Sequence, residues 1–126
     1  MAKGYARKEV SKYGTVRYFD EEGRLHRENG PALEYQAGSN VLRVWYQNGK
    51  VHREDGHAVE YSNGTKAWYQ NGDLHRKDGP AYEGADGVKE YWLSGKQLTE
   101  ETFRVLHPEA FASSETEEED APGPGR

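Results

Sequence analysis

Three stretches of this chain are near copies of one another: Arg24-Leu25-His26-Arg27-Glu28-Asn29-Gly30-Pro31-Ala32, Lys50-Val51-His52-Arg53-Glu54-Asp55-Gly56-His57-Ala58 and Asp73-Leu74-His75-Arg76-Lys77-Asp78-Gly79-Pro80-Ala81. They start 26 and then 23 residues apart, and self-similarity at that spacing marks a tandem array of small units. Upstream of each copy stand an aromatic pair and a glycine turn: Tyr18-Phe19 with Gly23, Trp45-Tyr46 with Asn48-Gly49, and Trp68-Tyr69 with Asn71-Gly72. A truncated fourth unit follows in Tyr91-Trp92 with Ser94-Gly95. Asn-Gly between aromatic and β-branched residues is a strong hairpin signal, because the turn needs positive φ at both central residues.

Each unit is therefore expected to hold one hairpin. Asn29-Gly30, Asp55-Gly56 and Asp78-Gly79 should turn the chain again, and Gly38, Gly64 and Gly87 supply a third turn before the next aromatic strand. The expected fold is mainly β, an elongated antiparallel meander of hairpins. Extra residues in the first interval fall around Gln36 to Asn40, where a longer loop costs little. After the last unit, Thr99 can cap a helix with Glu100 and Glu101 in its first turn. Phe103, Leu106, Ala110 and Phe111 fall near one face of that helix, and Pro108 should kink or divide it. The expected organisation is a basic N-terminal arm at 1–12, a repeat domain at 13–98, a capping helix at 99–112 and a disordered acidic tail at 113–126.

The composition suits that organisation. Only 33% of the 126 residues are hydrophobic, while Trp, Tyr and Phe make up 12% and there are 15 Gly. Amphipathic rings can hold a thin sheet together, one end packed and the other wet. With no cysteine in the chain, disulfides, thiolate metal sites and a Cys nucleophile are excluded. No apolar run is long enough to span a bilayer, so a cytoplasmic protein without membrane contact is expected. The net charge is −5, and most of it lies in the tail (Glu115, Glu117, Glu118, Glu119, Asp120). A nearly neutral body argues against general nucleic-acid binding, which needs a dense basic surface.

The pattern aromatic-Tyr-x-Asn-Gly-x-Leu-His-Arg-x-Asp-Gly-Pro-Ala resembles the MORN repeat family, and more closely a variant common in bacteriophage and other viral genomes. The resemblance covers roughly residues 13 to 103. It departs at Arg27, Arg53 and Arg76, where the MORN pattern has Gly after the His. It implies attachment to a protein or membrane, often with self-association. By association with phage sequences it implies an accessory protein that binds and inhibits a host component, such as a defence enzyme.

Candidate sites follow from alternation along the strands. Tyr18, Trp45, Trp68 and Tyr91 share one face; Phe19, Tyr46, Tyr69 and Trp92 share the other. The second face also carries Val44 and Ala67 and reads as core. The first carries Arg43, Lys66 and Lys89, a combination of rings and cations that suits an acidic protein surface or a planar anion such as a nucleotide. In the alternative, the basic stems only shield the rings from water. The dyads His26-Arg27, His52-Arg53 and His75-Arg76 could form a row for a metal or an anion. The structural alternative pairs each Arg with Glu34, Glu60 or Glu83, which recur at the same offsets. His57, standing where the other units have Pro31 and Pro80, is either drift or a contact particular to this protein. No nucleophile elbow, phosphate loop or metal motif is present, so no catalysis, cofactor or metal is expected. Three functions remain in play: a protein-interaction module, a sequestering protein for a small anionic ligand, and a self-assembling homo-oligomer.

Overall fold

The structure, a computed structural model, describes residues 3–111. Nine strands form one antiparallel sheet in the order β1 (Arg7–Val10), β2 (Val16–Phe19), β3 (Leu33–Ala37), β4 (Asn40–Val44), β7 (Val59–Tyr61), β8 (Lys66–Ala67), β11 (Tyr82–Glu83), β12 (Lys89–Leu93) and β13 (Lys96–Leu98). Two short hairpins leave this sheet: β5 (Tyr46–Gln47) with β6 (Lys50–Val51), and β9 (Tyr69–Gln70) with β10 (Asp73–Leu74). The chain departs at Trp45 and at Trp68, each standing between a sheet strand and a hairpin strand. The protein is thus mainly β, a meander of hairpins with one short C-terminal helix, as the repeat predicts.

The hairpin turns have the expected chemistry. Asn48, Asn71 and Ser94 hold φ of 52°, 52° and 51°, and the Gly after each is also left-handed, the conformation a two-residue hairpin demands. The second punctuation works differently. Gly30, Gly56 and Gly79 are not left-handed. A Cβ on them would lie 2.9 Å from Arg27 Nη1, 3.3 Å from Arg53 Cζ and 3.0 Å from Arg76 Cζ. Glycine is needed there to clear a folded-back guanidinium.

Packing centres on small residues. Ala32, Ala58 and Ala81 are completely buried because each bonds to strands on both sides: Ala58 donates to the Ala67 carbonyl and accepts from the Trp45 N–H, both at 2.8 Å. Val44 and Ala67, from the face read as core, are also buried. So are Tyr18 and Tyr91, from the face read as the binding surface.

Both ends of the array are closed by rings. Within the stretch expected as a basic N-terminal arm, β1 pairs with β2 from Arg7↔Phe19 to Val10↔Val16, and Tyr5 packs edge-on against Tyr18 at 4.7 Å. At the other end, α1 (Glu100–Leu106) is capped by Thr99, whose hydroxyl accepts the Thr102 N–H at 3.1 Å. Its Phe103 is fully buried and lies 4.9 Å from Tyr91. Pro108 does divide the segment, opening a separate 3-10 turn, Pro108–Phe111. That turn brings Phe111 to 6.2 Å from Tyr91, and Leu106, expected on the packed face, is left exposed. The acidic tail lies outside the described residues.

Candidate interaction surface

The four equivalent aromatics meet two kinds of cover. Arg27 stacks on Tyr18 at 4.0 Å, Arg53 on Trp45 at 4.1 Å and Arg76 on Trp68 at 3.8 Å. In the fourth unit Phe103 takes the place of the Arg over Tyr91. Each guanidinium is then locked by its own loop. Arg53 donates from Nε to Asp55 and from Nη1 to the His57 carbonyl, both at 3.1 Å. Arg76 donates to Asp78 at 2.8 Å, to the Pro80 carbonyl at 3.1 Å and to Glu83 at 3.3 Å. Arg27, with Asn29 in place of the Asp, keeps the carbonyl bond to Pro31 at 3.3 Å. The role of Arg in the dyad is therefore to cap an aromatic ring and brace the Arg-x-Asp-Gly-Pro-Ala loop.

Arg43 is not a free cationic tip, and Lys66 and Lys89 stand opposite carboxylates in the strand register. The strand register sets Glu34, Arg43, Glu60, Lys66, Glu83 and Lys89 side by side across β3, β4, β7, β8, β11 and β12. Signs alternate at every step. Arg43 bonds Glu34 at 2.9 Å and reaches Glu60 at 3.4 Å. Like charges opposite one another are destabilising and unlike charges contribute ~0.2–1 kcal/mol per pair, so this ladder holds strand order at no net charge. The carboxylates expected to meet the dyad arginines serve it instead; among them only Glu83 also meets its expected partner, Arg76.

The histidines bind one repeat to the next. His26 Nδ1 accepts the Asn48 N–H at 3.0 Å, His52 Nδ1 that of Asn71 at 2.9 Å, and His75 Nδ1 that of Ser94 at 2.8 Å. Each acceptor faces the left-handed turn residue of the following hairpin. A ring accepting at Nδ1 carries its proton on Nε2 and no charge. Burial, with the nearby charges of Lys77 and His107, pushes the His75 pKa below its ordinary value of 6.5, against the pull of Asp73. Gln47 and Gln70 reinforce the junction, each donating to the carbonyl of the preceding Arg at 2.9 Å. The row that could have served a metal or an anion is a row of separate staples, and no group of metal-ligating side chains converges among the described residues.

The central units remain open. Trp45 and Trp68 are half-buried, and His57 sits between them, 6.1 Å from one ring and 5.5 Å from the other, with Nε2 3.1 Å from Glu60. Sequence reading singled out His57 by its departure from Pro, but not the Trp-His-Trp row. Two grooves flank this row. One, of about 820 Å³, is lined by Trp45 and Arg53 with Glu28, Glu54 and Asp55 on its rim. The other, of about 740 Å³, is lined by Trp68 and Arg76 with Glu54, Asp55, Lys77 and Asp78. No described helix is long and apolar enough to cross a membrane. No family model matches the chain, and neither a curated protein nor a solved structure matches it.

Proposed function

We propose that this protein is a non-catalytic interaction module that binds another protein through the middle of its repeat array. One observation carries the reading. The four equivalent rings are sealed at the two ends and left half-exposed only in the centre, at Trp45 and Trp68. Aromatic anchors in partly open grooves are the usual energetic centre of a protein interface. The resemblance to viral MORN-like repeats supports an accessory role against a host protein, a defence enzyme being one example. An anionic small ligand has less to recognise, since Arg43, Arg53 and Arg76 all meet carboxylates of their own chain.

The test is retention of a bacterial partner by the tagged protein, run beside a Trp45→Ala, Trp68→Ala variant that still folds. The partner should be retained by the wild type and lost by the variant. Equal retention by both would place binding elsewhere. A second reading, pairing of two copies through β1, draws on the exposure of all four residues of that edge strand. Light scattering showing a strict monomer would rule it out.

A further inference from the structure

We infer that the groove between the first and second repeats receives an extended, Arg- or Lys-bearing segment of the partner, and that the neighbouring groove does not. This rests on the proposed protein-binding role of the central face.

The two grooves are built alike on a Trp under a stacked Arg, and they differ in charge. The first presents Glu28, Glu54 and Asp55, with Arg53 as the one Lys or Arg among its lining residues. Arg53 is occupied by Trp45, by Asp55 and by the His57 carbonyl. Among the described residues, Glu28 and Glu54 gain no formal cation. Their neighbours are His26 Nε2 at 3.8 Å and His52 Nε2 at 3.2 Å, on rings whose Nδ1 accepts the N–H of the next turn. Their side chains are 62% and 81% exposed, so they are hydrated and available to an incoming charge. A Lys or Arg stem can lie along the Trp45 wall while its head reaches these carboxylates.

In the second groove Lys77 occupies the repeat position of Glu28 and Glu54. There Arg53, Arg76 and Lys77 face Glu54, Asp55 and Asp78, and the formal charges cancel. Because the architecture is shared, one substitution should convert the second groove into a copy of the first.

The experiment is calorimetric titration of the full chain with a short Arg-Ser repeat peptide, with a Glu-Ser peptide of equal length as control. The wild type should bind the Arg-Ser peptide at one site and ignore the acidic peptide. Glu28→Lys with Glu54→Lys should weaken binding by about tenfold or more, and Lys77→Glu should add a second site, with circular dichroism checking the fold of each. Three results would overturn the inference: no binding by the wild type, binding that survives the double charge reversal, or unchanged stoichiometry in Lys77→Glu. If the Trp45, Trp68 variant still loses its protein partner in those cases, the interaction module stands and only the charge assignment falls.

Discussion

Tyr18 and Tyr91 occupy the same place in the repeat as Trp45 and Trp68, yet the outer pair is buried and the inner pair is half-open. The outer rings are covered by an aromatic from outside the array, Tyr5 at one end and Phe103 at the other. The inner ones have Arg53 and Arg76, planar caps whose edges stay wet. A repeat array must close its ends to be stable, whereas the middle is closed by its neighbours on two sides only. The comparison assigns stability to the terminal rings and leaves the central ones open for the proposed recognition.

The sharpest way to break that contrast is Phe103→Ala. Removing a fully buried Phe should cost about 3–5 kcal/mol, read as a lowered midpoint in chemical denaturation. Trp45→Ala, at a half-buried ring, should cost about 2 kcal/mol while removing most of the partner binding. Equal losses for the two would erase the distinction between end and middle.

Next in size is Gly79→Ala. The new Cβ would meet Arg76 Cζ at 3.0 Å, lifting the guanidinium from Trp68 for about 1–2 kcal/mol. Gly64→Ala makes a useful contrast, because no atom lies within 4 Å of its Cβ and only its φ of 100° opposes the change. Trp fluorescence should respond to the first substitution and not to the second.

The His75 staple predicts a pH dependence. His75 has its pKa lowered in the fold, so the folded state favours the neutral ring. Its contribution is fully present above the unfolded value of 6.5 and is lost as pH falls through the lower folded value. Stability should decline on acidification from about 6.5 down to the folded value and level off below it. His75→Gln should lower stability by about 1 kcal/mol near neutral pH and flatten that part of the profile. A profile unchanged in the variant would mean that the staple carries no linkage.

The smallest effect is expected from His57→Pro, which restores the residue of the flanking units. The carbonyl that receives Arg53 is retained, so stability should stay within about 0.5 kcal/mol by thermal melting. Partner affinity should nevertheless change, because the imidazole between the two Trp rings is lost.

Much of the fold was legible because it is written locally. Asn48-Gly49 and Asn71-Gly72 state their turn type in adjacent residues, and Thr99 with Glu100 and Glu101 states a helix start. The functional surface was only partly legible. Trp45 and Trp68 could be named from the repeat, but Arg43, Lys66 and Lys89 appeared cationic because their carboxylate neighbours are far apart in sequence and adjacent only through strand register. The Arg of each dyad was assigned to a carboxylate, whereas its main partner is an aromatic upstream. Ring and Arg both recur with the repeat, but their recurrence does not tell that one folds back over the other.

By itself the sequence determined a repeating β unit, its turns and its helical cap, since these follow from backbone propensity and hydrophobic alternation over a few residues. Only the tertiary structure decided which rings are sealed and which stay open, which histidines staple neighbouring repeats, and which charges cancel. Those outcomes depend on what each side chain meets across strands and between repeats, and the packing of the whole array fixes that.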